Sequence, residues 1–368
     1  MDQQFLADLA YRINVFVISM VIIGLAAAGI AGVGFLLWMW YRYRQREEKS
    51  LEYVQLLVSI TRGNEVKIDA AEQMFTSFDS LAKGGWFARW KAQPQICFEI
   101  VAKVGDIRFY VTVPAKLRDF VEKQIYGAYP AADITLVEEY NIFSESGNVE
   151  FAGLKLKKDN YYPIKSYREL ATDPLSAITS VLGKMQAGEG AAVQIIISPA
   201  GSKWKKAGQQ FVSYIKKTEA DPEKAKFNYD PKTLELINNK SQKPGFNTVI
   251  RMVVSSSSAE NAKAHLTNLK GAFAQFSSDL NGFSGTKQLF KKFFMIDFIY
   301  RYMPIIDLWR YKQLSILTSE ELATLFHLPN KSIETPNILW VNAKRAPASA
   351  LISPSGLFLG NSRYRGQV

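Results

Sequence analysis

The side chains that most often carry catalysis or bind metals are scarce in this chain: one cysteine, Cys97, and two histidines, His265 and His327, in 368 residues. A structural zinc site takes four nitrogen or sulfur ligands, more than these three residues supply, and a lone cysteine builds no disulfide framework. A thiolate nucleophile needs a neighbouring cation or base. Cys97 alternates into an apolar strand pattern with no histidine near it in sequence, which favours a packing role. His327 lies in an FHLP turn and reads as a structural histidine, and His265 falls on a polar helix face. No GxxxxGK[ST], HExxH or GxSxG motif occurs. Gly282–Lys287 (GFSGTK) has glycines and a lysine without the phosphate-loop spacing, and glycines 29, 32 and 34 match GxxGxG only inside an apolar run. Glu138 and Glu139 read as a strand end rather than an acid/base pair. No catalytic, cofactor-binding or metal-binding residue is assigned.

The chemistry that remains is electrostatic. The net charge of +11 is unevenly placed: residues 201–310 carry 18 basic and nine acidic groups, whereas 51–200 carry 16 and 18. Its densest part predicts a basic helix with Lys203, Lys205, Lys206, Lys216 and Lys217 interleaved with Trp204, Phe211 and Tyr214. Three readings stand. Lysines with aromatics between them contact nucleic-acid phosphates with some base stacking; the same lysines dock on an anionic leaflet; or they form a solvated face that adds solubility.

The most explicit element is Val15–Trp40, 26 residues without a charge and with Ser19 as its only hydroxyl. A bilayer core needs about 20 apolar residues as helix, and Trp38, Trp40, Tyr41 and Tyr43 suit an interfacial belt. A cleaved signal peptide is the competing reading; its apolar region is shorter, about 7–15 residues, and follows positive charge, whereas Arg12 here is balanced by Asp2 and Asp8. Arg42, Arg44, Arg46 and Lys49 follow the span and only Arg12 precedes it, which places the long C-terminal part in the cytoplasm of a single-pass inner-membrane protein. Gly24, Ala28 and Gly32 form a small-residue stripe on which a second helix could pack, although small residues are common in such helices anyway.

Beyond the anchor, Tyr53–Ile60 reads as a strand, and Asp69 with Glu72 three residues later resembles a capping box opening a helix. Residues 96–103 and 107–113 alternate around a Gly105-Asp106 turn as a hairpin, Leu117–Ile125 is amphipathic, and Ile134–Val137 is a strand. The order repeats: Glu150–Leu156, a helix opened by Asp173-Pro174, strands Val193–Ile197 and Thr248–Val254, a long helix over Ala259–Phe276, and the apolar run Leu289–Tyr302 as the closing strand. Two βαββαβ series predict an α+β protein. Its expected layout is an N-terminal extracytoplasmic segment (1–14), a transmembrane helix (15–41), a basic flank (42–50) and two tandem ferredoxin-like domains, 51–145 and 146–310. The second carries a basic insertion, 201–245, whose latter part is polar and rich in turn formers, and a short extension, 311–368, follows with a capping box at Thr318 and Glu321.

Three stretches carry a family resemblance: EIVAKVGDIRFYVTVPAKLRDFVEKQIYGAYPAADI (99–134), LTSEELATLFHLPN (317–330) and GLFLGNSRYRG (356–366). Together they resemble the N-terminal, membrane-anchored half of DNA-transfer ATPases of the type IV secretion and conjugation class, as found in candidate-phylum bacteria. In that family the last stretch leads into a HerA/FtsK-like motor domain, which would begin where this sequence stops. The family's catalytic residues therefore have no positions here to occupy. The resemblance implies a non-catalytic, membrane-anchored component that holds or assembles with a P-loop motor ATPase, with DNA and a second copy of the chain as further partners. The alternative is a membrane-tethered scaffold that binds anionic lipid or an acidic protein, unrelated to DNA transfer; an enzyme with an unrecognised site is the third reading.

Overall fold

Helix α1, Gln3–Tyr43, rises about 1.5 Å per residue and so runs about 60 Å, twice a hydrocarbon core. Its Asp8–Trp38 segment is long and apolar enough to cross a membrane, and none of it is buried within the protein; a membrane anchor and a signal sequence share this appearance. Its polar groups are satisfied locally: Arg12 pairs with Asp8 one turn away at 3.0 Å, and Ser19 donates to the Val15 carbonyl at 2.8 Å. The computed structural model describes residues 3–43, 50, 52–84, 93–145, 147–219, 230–288, 291–304 and 312–341. Most of the basic flank, including Arg44, Arg46 and Lys49, and the GLFLGNSRYRG stretch lie outside them.

The remainder forms a unit distinct from α1 and is built on one sheet. Its strands are β1 (Tyr53–Thr61), β2 (Ile96–Lys103), β3 (Asp106–Pro114), β4 (Asp133–Val137), β5 (Asn148–Leu156), β6 (Gly190–Pro199), β7 (Gly245–Ser256), β8 (Phe283–Gly285), β9 (Ser315–Thr318) and β10 (Trp340–Val341). The order β10-β1-β3-β2-β6-β7-β5-β8, with β4 on β1 and β9 on β7, makes ten strands, antiparallel except for the β1–β10 pair. This overturns the expectation of two tandem ferredoxin-like domains. All eight residues of β2 pair with β6, from Ile96–Ile197 to Lys103–Gly190, so the sheet runs uninterrupted across the expected boundary at 145/146. One apolar core likewise joins Leu56, Phe98 and Val121 to Leu175, Ile250 and Phe276. Burying both inner strands satisfies backbone groups that two separate sheets would have left as edges.

Five helices cover the first face: α2 (Ile68–Ser77), α3 (Arg118–Ala128), α4 (Pro174–Leu182), α7 (Ala259–Ala272) and α9 (Ser319–Leu325). Between α4 and α7 lie α5 (Lys203–Glu219) and α6 (Pro231–Gln242). Gly105, at φ 66°, makes the tight β2–β3 turn in a conformation open to glycine. Asp173 accepts from the Leu175 amide with proline at the first helical position, and Thr318 with Glu321 closes a capping box at α9. The box expected at Asp69 does not form. The residue capping α2 is Lys67, without a side-chain bond, and Asp69 and Glu72 instead accept from Tyr167 and Arg168 across the fold.

Two further segments differ from their sequence reading. Among the described residues of Leu289–Tyr302 there is no strand; the segment contains helix α8, Lys291–Ile299, whose Phe294 and Phe298 are one turn apart and pack on the second sheet face. The fourth strand of the second series is the three-residue β8. The polar half of the insertion contains α6, opened by Asp230 and Pro231, and α5 lies close to it because Gly208 leaves room for Ser241.

Candidate functional site

Charge is found in two settings. The first is a polar row on the second sheet face, where side chains alternate with the apolar core. Glu99 of β2, Gln194 of β6 and Arg251 of β7 sit opposite one another across adjacent strands, all essentially inaccessible to water. Arg251 donates to Gln194 Oε1 at 3.1 Å and to the Asp297 and Tyr302 carbonyls at 3.0 and 2.6 Å; Gln194 Nε2 donates to Glu99 at 2.8 Å. Glu99 also accepts from Tyr140 at 2.9 Å, from Thr112 at 3.2 Å and from Arg301 Nε at 3.2 and 3.1 Å.

Arg301 reaches the row because of where α8 ends. The turn after the helix holds it at φ 53°, a left-handed position usually given to glycine, at a cost of roughly 1 kcal/mol for another residue. The guanidinium that glycine would lack neutralises Glu99 and also holds Glu139 at 2.9 Å. Burial opposes the Arg301 charge most strongly, but Glu99 together with Tyr140, Cys97 and Glu139 outweighs it and the pKa ends above its usual value. Burial first, and Glu99 second, push Cys97 and Tyr140 well above their ordinary ranges, so Cys97 stays a protonated, inert thiol. Glu99, Gln194 and the two Nη atoms of Arg251 are hydrogen-bonded within the protein, and the row has the character of a structural network.

Two further clusters contain the residue types of a hydrolase but not its geometry. Glu189 lies between Ser256 Oγ (2.7 Å) and His265 Nε2 (3.1 Å), so the serine donates to the carboxylate and not to an imidazole that could take its proton. His327 contacts Asp173 at 2.9 Å and the Ala323 carbonyl at 2.8 Å; the same Asp173 caps α4 and accepts from Asn330. That aspartate is buried, which alone would raise its pKa, yet the His327 hydrogen bond and charge bring it below the usual carboxylate range. Among the described residues no group of three or more His, Cys, Asp or Glu is placed to hold a metal ion.

The second setting is α5. Its inner face, Trp204, Gly208, Val212 and Ile215, packs inward, and Phe211 meets Tyr161 and Tyr162 at 5.2 and 5.7 Å. A Cβ on Gly245 would lie 2.4 Å from the Trp204 ring, so that indole lies against backbone. Of the three interleaved aromatics only Tyr214 is exposed; Trp204 is core, and Phe211 is half-buried against Tyr161 and Tyr162. Lys203, Lys206, Lys216 and Lys217 are exposed, Lys205 is half-buried with its ammonium 5.8 Å from the Trp204 ring, and none of the five forms an ion pair among the described residues. At 1.5 Å per residue, Lys203 and Lys217 are about 21 Å apart along the helix, and with Lys206 and Tyr214 they share its outer side. Three lysines occupy the first turn without an acidic residue, against the helix dipole.

The hairpin carrying this face is held to the fold by a buried pair that sequence reasoning missed. Lys240 of α6 lies 2.9 Å from Glu321 of α9, both almost fully buried, and donates to the Tyr162 carbonyl at 3.0 Å. Burial lowers the Lys240 pKa, with Glu321 opposing. The only sequence signal was a lysine three residues after Ile237, on the apolar side of an otherwise amphipathic stretch. Gly24, Ala28 and Gly32 lie exposed along α1, and a Cβ on either glycine would meet nothing within 4 Å.

No curated protein matches the chain. Among solved structures, a glycopeptide hexose oxidase complexed with teicoplanin is similar at 12% identity with a TM-score of 0.29, over 61% of this chain and 41% of the oxidase. The chain thus spans less than half the length of that enzyme, and so distant a likeness carries no argument about activity. Residues 46–341 match the family described as Domain of unknown function (DUF8128); that span is most of the chain, which therefore belongs to this family.

Proposed function

We propose that this protein is a non-catalytic, single-pass membrane protein that anchors or assembles the motor ATPase of a DNA-transfer machine of the type IV secretion or conjugation class, and that the outer lysines of α5 contact the DNA. The observation that carries the anchored reading is Asp8–Trp38, a 31-residue apolar helical segment with no buried residue among those described. The four basic residues Arg42, Arg44, Arg46 and Lys49 after it support a cytoplasmic sheet domain and an N-terminus outside. The DNA-transfer part is supported by the resemblance of residues 99–134 and 317–330. Binding rather than catalysis is supported by the internal pairing of Glu99, Glu189 and Asp173, each committed to the fold. A polyanion along α5 would offset the repulsion among its first-turn lysines, and about 21 Å of helix faces about six phosphates of one DNA strand. Gly24, Ala28 and Gly32 give the anchor a surface for a second copy.

Affinity purification of the full chain from native membranes tests this. The expected result is a carbonate-resistant membrane protein of uncleaved length with a HerA/FtsK-like P-loop ATPase recovered in near-equal amount. Cleavage after the apolar segment contradicts the anchor, and recovery of the intact protein without any P-loop ATPase contradicts the motor assignment.

A further inference from the structure

We propose that the outer side of α8 is a lipid-contact surface that docks the sheet domain on an anionic leaflet. The proposal rests on the membrane-anchored reading and adds a second attachment to it. Helix α8 is pinned to the sheet from inside by Phe294, which stacks on Phe151 with ring centroids 4.4 Å apart, and by Phe298. Yet its other side is also apolar: Phe293 is 61% exposed, Ile299 44% and the following Tyr300 41%. Lys287, Lys291 and Lys292, all exposed, flank the same end as Phe293. The acidic groups Asp297 on the helix and Glu139 beside it each face an arginine, Arg251 at 3.7 Å and Arg301 at 2.9 Å, and Glu138, next to Glu139 in sequence, is exposed. Phenylalanine, isoleucine and tyrosine beside lysines is the composition of helices that lie in a bilayer interface, the rings entering the headgroup boundary and the ammonium groups meeting lipid phosphates.

A second observation points to the same occupant. Ser50, the first described residue after α1, donates its hydroxyl to the Tyr300 carbonyl at 3.2 Å. Ser50 follows Tyr43 by seven residues, a reach of about 25 Å at full extension. The polypeptide arriving from the apolar helix therefore joins the sheet domain beside the exposed end of α8, where a short tether makes the bilayer the most concentrated partner available.

The test uses the full chain in vesicles with a fluorophore on Phe293→Cys, native Cys97 being buried, and lipids carrying a spin-label quencher. Quenching at position 293 is expected to be at least about twofold stronger in vesicles containing phosphatidylglycerol than in pure phosphatidylcholine, and to be lost in the Lys287→Glu/Lys291→Glu/Lys292→Glu variant with an unchanged melting temperature. A reference probe at Ser213→Cys on α5 should stay unquenched. An unquenched 293 probe, or quenching insensitive to the charge reversal, overturns the proposal. So does a probe shielded from water but unquenched in proportion to protein concentration, which would assign the face to a second copy. Failure of the anchor itself reads differently: the chain then leaves the vesicles in carbonate.

Discussion

The polar row under α8 and the lysine face of α5 are both rich in charge, and they differ in what the charge meets. Across β2, β6 and β7 each ionic group faces its complement: Glu99 meets Arg301, and Arg251 meets Gln194 and two carbonyls. Along α5 five lysines meet no carboxylate among the described residues. Buried charge is tolerated only when paired and hydrogen-bonded, so the row must be complete before the fold is stable. Exposed charge bears no such condition and is free to answer to a partner. Substitutions in the first region should therefore cost stability, and in the second, binding.

The largest effect is expected from Glu99→Ala, which strands Arg301 and the Gln194 amide under α8; a loss of about 3–5 kcal/mol in denaturant unfolding is expected, and a loss below about 1 kcal/mol would remove the row from the architecture. Lys240→Met comes next. Glu321 keeps the amides of Thr318 and Ile164 when its lysine is gone, so about 3 kcal/mol is expected, with Lys240→Met/Glu321→Gln recovering part of it. Acid has a smaller, graded effect. Asp173 has a depressed pKa in the folded state, so the stability it contributes is fully present above the ordinary aspartate pKa of about 3.9 and is lost as pH falls through the lower folded value. Melting temperature should fall below about pH 4 and do so less steeply in Asp173→Asn; equal slopes would contradict the His327–Asp173 contact as its source.

Much of the local structure was legible because its signals are short-range. The β2–β3 hairpin follows from alternation around Gly105, α4 and α9 from Asp173-Pro174 and Thr318 with Glu321, and α7 from apolar spacings of three and four. Assembly was not legible. Nothing local to Ile96–Lys103 or Gly190–Pro199 says that those strands pair with each other rather than close separate sheets. The apolar run of α8 satisfies strand and helix patterns alike, and Phe294 with Phe298 decides it only once a sheet face needs covering. Glu99 and Arg301 are 202 residues apart, so their pairing is invisible in sequence, although a lone arginine in TVIRMVV was a sign that one strand face is polar. For α5 four of the five lysines are exposed and Lys205 is half-buried, while Trp204, read as one of the interleaved aromatics, belongs to the core and Phe211 is half-buried.

The contrast between the two regions is tested most directly by DNA binding of the full chain in nanodiscs, followed by fluorescence anisotropy across a salt series, for the native protein and for Lys203→Glu/Lys206→Glu/Lys217→Glu. We expect log affinity of the native protein to fall linearly with log salt, the triple variant to bind at least tenfold more weakly with a slope shallower by about three phosphate contacts, and the melting temperatures of the two to agree. Binding without salt dependence, or binding that survives the charge reversal, would show that the lysine face of α5 is not where this protein holds a polyanion.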